Sequence, residues 1–146
     1  MIIIKVNENI DYNAIKKIED MCFDDAWSEH MIRNEMSNDF SHIYIAKNND
    51  EIIGYIIYRE LFEIAEIMRI AVLPEYRKKG LGMGLIKCMT DNLNTSEQVL
   101  LEVSADNPAA IALYKKVGFE ELDIRPGYYK HSDGTFSDAI NMRLIL

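Results

Sequence analysis

Apolar residues in the first quarter of the chain follow two different periods. The run Ile2 to Val6 is typical of a short strand, whereas the apolar positions from Ile10 onward recur every three or four residues, as on one face of a helix. This spacing predicts a helix from about Asp11 to Cys22. Trp27-Ser28 then supplies an apolar residue followed by an N-cap, which predicts a second, shorter helix through Met36.

Strand-like patterns fill the middle of the chain. We predict strands over His42 to Lys47 and Glu51 to Arg59, and the turn residues Asn48 to Asp50 between them predict a β-hairpin. A third strand is expected from Ile64 to Leu73, where Pro74 ends it.

The next segment changes from strand to helix and back. A helical pattern from Gly80 to Leu93 leads into an apolar run from Val99 to Val103. A strand, a helix and a further strand in this order predict a parallel crossover.

The last third begins with the helix start Asn107-Pro108, an N-cap followed by proline, and this helix should extend through Lys116. Two closing strands are predicted at Glu120 to Ile124 and Ala139 to Ile145, around a loop from Arg125 to Ser137. The whole pattern predicts an α/β protein with a mixed sheet of about seven strands and about four helices.

Composition sets limits on this fold. The chain has 146 residues, 49% of them hydrophobic and 27% charged, so we expect residues 1–146 to form one domain with one core. No apolar run approaches the roughly 18 residues of a membrane span, and we expect a cytoplasmic protein with no membrane partner. Glu29-His30 lacks the second histidine of a zinc helix, so no metal is expected.

The net charge of −8 bears on possible partners. It argues against direct binding to nucleic acid, which needs a basic face for the phosphate backbone. An acidic protein would instead attract a cationic amine or a basic peptide tail, although the charge could equally serve solubility alone.

The helix predicted after Pro74 carries three glycines in its first turn, Gly80, Gly82 and Gly84. Each costs about 1 kcal/mol relative to alanine within a helix, so their presence needs a reason. A helix N-terminus offers free backbone N–H groups, and small residues allow a phosphate oxygen to approach them. The basic run Arg77 to Lys79 would add positive charge there. The alternative is that the glycines only allow close packing of the helix.

Two common phosphate-binding motifs do not match this segment. The Walker A spacing is absent, and the third glycine of the Rossmann pattern falls on Leu85. Glu102 does follow about twenty residues later, where a Rossmann fold has its ribose-binding acid. Against that alternative, the strand before a Rossmann turn would open the sheet order, whereas this one follows three others.

The pattern Arg77-x-x-Gly80-x-Gly82, after a strand ending Ile70 to Pro74, resembles the acetyl-CoA signature of the GNAT acetyltransferase superfamily. The stretch Leu101 to Phe119 and the later Arg125-Pro126-Gly127-Tyr128-Tyr129 resemble the ribosomal-protein-alanine N-acetyltransferases of that superfamily. The likeness spans nearly the whole chain. Pro126-Gly127 departs from the Arg-Asn usual in that family, close to where its peptide binds.

The resemblance implies a GNAT fold and acetyl-CoA as co-substrate, without a metal. It implies that a β-strand pairs with the pantetheine arm, that the glycine turn binds the pyrophosphate, and that an asparagine and a tyrosine complete the site. The residues implied are Ile70, Ala71, Val72, Arg77, Lys78, Lys79, Gly80, Leu81, Gly82, Met83, Asn107 and Tyr114.

The resemblance also implies the chemistry. Glu102 matches the family's general base and Tyr114 its general acid, whereas the residues alone favour an exposed glutamate at a strand end and a core tyrosine. Tyr128 and Tyr129 either border the entry of the acceptor or cover the edge of the sheet.

The function that the resemblance implies is acetylation of a protein's N-terminal α-amine, with the N-terminal alanine of ribosomal protein eighteen of the small subunit as acceptor. Two alternatives remain. One is acetylation of a lysine side chain or a small amine, and the other is a CoA-binding module without catalysis. Glu102 and Tyr114 together argue against the second.

Overall fold

The computed structural model describes all of residues 1–146. The predicted seven strands and four helices are confirmed. In chain order they are β1 (Ile2–Val6), α1 (Tyr12–Cys22), α2 (Glu29–Met36), β2 (Ser41–Asn48), β3 (Glu51–Leu61), β4 (Ile64–Val72), α3 (Leu81–Asp91), β5 (Gln98–Ser104), α4 (Pro108–Val117), β6 (Glu120–Lys130) and β7 (Phe136–Ile145). A single 3-10 turn, Pro74–Tyr76, precedes α3. None of the helices is long and apolar enough to cross a membrane.

The strands form one sheet in the order β1-β2-β3-β4-β5-β7-β6. Neighbouring strands are antiparallel except β4 and β5, which are parallel and connected through α3, as the predicted crossover requires. The six residues from Ile53 to Tyr58 on β3 are all buried. Since successive side chains of a strand point to opposite faces, both faces of the sheet are covered at its centre.

The predicted N-caps Ser28 and Asn107 are confirmed, and Asp11 caps α1 in the same way. The side chains of Asp11, Ser28 and Asn107 each accept a hydrogen bond from the backbone N–H three residues later, at 3.1 Å. These bonds satisfy donors that the first turn of a helix leaves free.

One prediction is wrong. The segment from Arg125 to Ser137 is not a loop, because β6 continues to Lys130 and β7 already begins at Phe136. Pro126-Gly127 forms a bulge between paired positions Arg125 and Tyr129, and Gly127 takes a positive φ of 62°. A bulge inserts residues into one strand without ending its pairing, so local turn residues here do not mark a loop.

A buried ion pair connects α1 to the centre of the sheet. Glu19 on α1 is fully buried, and its two oxygens accept hydrogen bonds of 2.9 to 3.2 Å from the guanidinium of Arg69 on β4. The hydroxyl of Tyr55 and the backbone N–H of Trp27 also donate to Glu19. Arg69 donates in turn to the carbonyl of Asp25 at 3.1 Å. The pair therefore fixes α1 and the segment after it against β3 and β4.

We expect Arg69→Met to lower the free energy of unfolding by about 3–5 kcal/mol, because it leaves a buried carboxylate without its cation. Urea denaturation followed by circular dichroism measures this loss. The double variant Glu19→Gln/Arg69→Met should lose less than the sum of the two single variants, since neither charge then remains unpaired.

Asp20→Asn is the matched control on the same helix. Asp20 pairs with Lys16 at the surface, where an ion pair contributes little, so this change should stay within about 0.5 kcal/mol. A loss for Arg69→Met no larger than that of the control would contradict the importance of the buried pair.

Candidate active site

The parallel strands β4 and β5 separate after a short contact. Only Ile64 to Glu66 of β4 pair with Gln98 to Leu100 of β5. Beyond these three pairs, β4 continues to Val72 and β5 to Ser104 without pairing to each other. We call the space between these ends the β4–β5 gap. It exposes one edge of a central strand, which is where backbone groups become available to a ligand.

Successive residues of β4 direct their backbone groups alternately to β3 and to this gap. The N–H of Leu73 donates to Ile53 of β3 at 2.8 Å, so alternation along the strand directs the N–H groups of Ile70 and Val72 toward the gap. Ala71, between them, directs its backbone groups to β3. The gap therefore contains two backbone donors, from Ile70 and Val72.

A turn rich in backbone donors follows at the same end of the sheet. We call residues 78–83 the glycine turn. None of its six backbone N–H groups donates to an acceptor in the chain. Lys78 and Gly80 take positive φ angles of 61° and 82°, and Gly80 is the N-cap of α3 without a capping side chain. Free N–H groups at a helix N-terminus form a site for an anion.

The three glycines have different roles. Gly80 supplies the left-handed conformation, and a Cβ on it would meet nothing within 4 Å. A Cβ on Gly82 would lie 2.8 Å from the side chain of Leu113 on α4, and one on Gly84 would lie 3.1 Å from Ile3 on β1. Close packing thus accounts for Gly82 and Gly84, and the turn's conformation accounts for Gly80.

The basic side chains near the turn differ in their contacts. The Nε of Arg77 donates to the carbonyl of Val72 at 2.9 Å, and a terminal nitrogen lies 3.4 Å from the sulfur of Cys22. Arg77 therefore points back to the end of β4. Lys79 lies over the ring of Tyr76, at 5.5 Å from its centroid. Both Lys78 and Lys79 are exposed beside the turn.

Tyr114 lies two turns after the N-cap Asn107 on α4. It is only 6% exposed and packs edge-on against Phe119, so the core interpretation holds for its ring. Its hydroxyl nevertheless makes no hydrogen bond within the chain, and the oxygen is not fully enclosed. Burial, and to a lesser degree the neighbouring Tyr129, raise the pKa of Tyr114 above its ordinary value. The phenol therefore stays protonated and able to donate.

Glu102 lies on β5, two residues beyond the last pair with β4, so it sits where the gap opens. Its side chain is 25% exposed. One oxygen, Oε2, accepts a hydrogen bond of 3.1 Å from Arg125 on β6, and Oε1 has no donor in the chain. A carboxylate with a free oxygen beside a gap can accept a proton.

Tyr128 and Tyr129 lie on β6 next to Glu102. Their rings meet edge to face at 5.2 Å, and Tyr128 is exposed while Tyr129 is half-buried. Burial raises the pKa of Tyr129 to about 12, and the negative charges of Glu102 and Asp25 add to the shift. Tyr129 thus lies within electrostatic reach of Tyr114, Glu102 and the segment after α1.

Sequence patterns missed a polar cluster at the outer end of β5. The Nε2 of His131 lies 3.0 Å from both Asp106 and Ser137, and Ser137 contacts Ser104 at 2.9 Å. Asp24 lies 3.6 Å from the other ring nitrogen, Nδ1, which is too far for a hydrogen bond, and Ser137 is buried against Ser104, so the group is not arranged as a hydrolytic triad. The cluster instead ties the β6–β7 hairpin to the segment after β5.

Known proteins resemble this chain in sequence and in fold. The model of the acetyltransferase (GNAT) family matches residues 12–119. The [ribosomal protein bS18]-alanine N-acetyltransferase of Escherichia coli is 34% identical over 139 residues, which are 94% of this chain and 93% of the relative. This chain belongs to the GNAT acetyltransferase family.

Solved structures of the GNAT family show the same fold. The crystal structure of the ribosomal-protein-S18-alanine N-acetyltransferase from Escherichia coli superposes with a TM-score of 0.90 at 33% identity, over 99% of this chain and 92% of that one. A GNAT acetyltransferase from Elizabethkingia anophelis, solved with acetyl-CoA bound, has a TM-score of 0.77 at 22% identity and covers 99% of this chain and 97% of that one. The second comparison establishes the fold only.

Acetyl-CoA is the co-substrate of the GNAT family, and it has a diphosphate and an extended arm that a protein must bind. The six free N–H groups of the glycine turn suit a diphosphate, and the backbone donors of Ile70 and Val72 suit the amides and carbonyl of an extended arm. The residues that this GNAT chain presents therefore fit the molecule.

Proposed function

We propose that residues 1–146 form one acetyltransferase domain that moves the acetyl group of acetyl-CoA to the N-terminal α-amine of a protein, with the N-terminal alanine of ribosomal protein bS18 as acceptor. The observation that carries the proposal is the β4–β5 gap. Two backbone donors of β4 and a carboxylate with a free oxygen border this gap, and Tyr129 lies within electrostatic reach of both Glu102 and Tyr114. Two relatives that act on bS18 align with 93–100% of their length.

The cofactor lies along one side of this gap. Ile70, Ala71 and Val72 flank its arm, with the N–H groups of Ile70 and Val72 donating. The glycine turn binds the pyrophosphate through its free N–H groups, and Lys78 and Lys79 add positive charge. Arg77 supports the turn by bonding to the end of β4. Asn107 and Tyr114 border the site from α4.

Acetyl-CoA supplies a thioester whose carbonyl carbon an amine can attack. The chain must provide a neutral amine, donors for the carbonyl oxygen and a proton for the leaving thiolate. A free α-amine has a pKa near 7.7 to 8.0, so a carboxylate needs to give only modest help. Glu102 accepts that proton, either directly or through a water. The N–H groups of Ile70 and Val72 stabilise negative charge on the carbonyl oxygen.

Tyr114 donates the proton that the thiolate needs. Burial raises the pKa of Tyr114, so the phenol is protonated at neutral pH and can donate a hydrogen bond to the departing sulfur. The raised pKa also makes Tyr114 a weaker acid than a free phenol, so the proton moves only as negative charge develops on the sulfur.

The acceptor enters from the side of β6. Tyr128 and Tyr129 border Glu102 there, and Asp25, after α1, adds negative charge that favours an ammonium group. A lysine ammonium, with a pKa near 10.4, would need far stronger help to lose its proton than an α-amine does. This difference favours an N-terminus as the acceptor.

Peptides that differ only at the acceptor test the function. The protein is incubated with acetyl-CoA and peptides beginning with Ala, Ser or Met, with an acetyl-blocked Ala peptide and with an internal-lysine peptide. We expect mass spectrometry to show acetylation of the free Ala N-terminus and none of the blocked peptide. Modification of lysine alone would refute the proposed acceptor, and acetyl-CoA binding without any transfer would favour a non-catalytic module.

Tyr114→Phe should lower kcat on the order of 100-fold and leave the Kd for acetyl-CoA nearly unchanged, because the hydroxyl acts on the leaving group. Tyr44→Phe is the matched control, since Tyr44 is equally buried but lies on β2, away from the gap. Stopped-flow or steady-state kinetics measure kcat, and calorimetry measures the Kd. Wild-type turnover in Tyr114→Phe would remove Tyr114 from the acid role.

Gly82→Asp and Gly82→Ala together test the glycine turn. Both variants place a Cβ against Leu113, but only aspartate adds a negative charge at the proposed pyrophosphate site. We expect Gly82→Asp to weaken acetyl-CoA binding about 100-fold more than Gly82→Ala, because like charges brought together cost several kcal/mol. Equal affinities in calorimetry would contradict this placement.

A further inference from the structure

Glu102 has one hydrogen-bond partner in the chain, and it is a cation. Arg125 donates to Oε2 at 3.1 Å. A protein N-terminus is largely an ammonium at neutral pH, so it would approach a carboxylate that already has a positive partner. Oε1 is free, so Arg125 does not block the carboxylate, but two cations on one carboxylate repel each other, and the acceptor's ammonium binds more favourably once the guanidinium has left.

The bond between Arg125 and Glu102 is a weak one. It is a single hydrogen bond and not the two-pronged arrangement that arginine forms in strong pairs. The side chain of Arg125 is 53% exposed, so solvent screens the attraction. Its guanidinium stacks over the ring of Tyr128 at 3.9 Å, which holds it near Glu102 without a second ionic contact.

The backbone at this point is fixed, although the side chain is not. Gly127, two residues later, donates its N–H to Asp138 of β7 at 2.9 Å and shapes the bulge of β6. Arg125 itself is paired with Ala139 in the sheet. The guanidinium can thus turn away from Glu102 into solvent while the strand stays in place.

We propose that Arg125 occupies, in the free enzyme, the position at Glu102 that the acceptor's α-ammonium takes, so that the acceptor binds by replacing the guanidinium. This inference rests on the proposed role of Glu102 as base. The exchange substitutes one cation for another, and the carboxylate has a positive partner before and after binding. An acetylated N-terminus carries no charge and cannot replace Arg125, so return of the guanidinium favours release of the product.

Steady-state kinetics with saturating acetyl-CoA and a varied Ala peptide test the exchange. Arg125→Gln removes the cation that Glu102 holds in the free enzyme. We expect its KM for the peptide to be about threefold lower than that of wild type, which is the scale of an exposed ion pair. Its kcat should stay within about twofold of wild type. Arg125→Lys retains a cation and should keep a KM near wild type. A fall in kcat with KM unchanged would mean that Arg125 only orients Glu102, and it would overturn the proposal.

Arg33→Gln is the matched control. Arg33 on α2 is 56% exposed, pairs with Glu29 and stacks over Tyr12 at 4.0 Å, so it reproduces the exposure, ion pair and tyrosine contact of Arg125 away from Glu102. Its loss changes the net charge equally. A lower KM in this variant too would assign the effect to charge alone and refute the exchange.

A competing cation tests occupancy directly. Methylguanidinium, at concentrations too low to denature the protein, should compete with the peptide in Arg125→Gln and raise its KM toward that of wild type, because the position at Glu102 is free. It should have little effect on wild type, whose position is filled. Equal inhibition of both proteins would overturn the proposal.

Calorimetric titration of the Ala peptide repeats the comparison without turnover. Tighter peptide binding to Arg125→Gln than to wild type supports the exchange even if acetyl transfer were absent, and equal binding refutes it. Failure of every peptide to be acetylated by wild type would instead refute the proposed function. The two failures are therefore distinguishable.

Discussion

The buried ion pair between Glu19 and Arg69 is the interaction on which the arrangement around the gap depends. Burial opposes the charge of Arg69, but the hydrogen bonds and charge of Glu19 outweigh it and raise the pKa of Arg69 above its ordinary value. Arg69 immediately precedes Ile70, whose N–H faces the gap, and its guanidinium stacks over Phe23 at 3.5 Å. One matched pair of charges thus sets where the segment after α1 lies relative to the end of β4.

The gap itself is the second constraint. Backbone groups in the middle of a sheet are normally paired, because leaving them without partners inside a protein costs free energy. The antiparallel strands of this sheet pair along most of their length, with local bulges, whereas β4 and β5 separate after three pairs, next to the glycine turn and Glu102. The donors that a closed sheet would use for its own stability are there available to a ligand.

Local signals made much of this structure predictable. Helix caps at Asp11, Ser28 and Asn107 depend on contacts within three residues, and the period of apolar residues marks each helix and most strands. The hairpin of β6 and β7 was mispredicted for a local reason as well. Pro126-Gly127 is typical of a turn, whereas the Asp138 carboxylate that makes it a bulge lies eleven residues away from Gly127.

Contacts between distant residues could not be predicted. Glu19 and Arg69 are fifty positions apart, and Glu102 and Arg125 are twenty-three apart, so no spacing rule connects them. The sequence indicated Glu102 and Tyr114 only through family resemblance, because a charged strand end and an apolar helix face occur in many proteins. The glycines were predicted as one motif, but their neighbours in space give Gly80 and Gly84 different roles.

The three residue pairs that join β4 to β5, which we call the seam, affect how the hydrogen bonds of the sheet open to solvent. Strands β1 to β4 form one antiparallel set and β5, β7 and β6 another, and only three residue pairs join the two sets in the sheet. Amide hydrogen exchange would then occur through two separate opening units, each protected by its own ladder. A ligand bonded across the seam would couple these units, so that both open together and slow exchange is shared by the whole sheet.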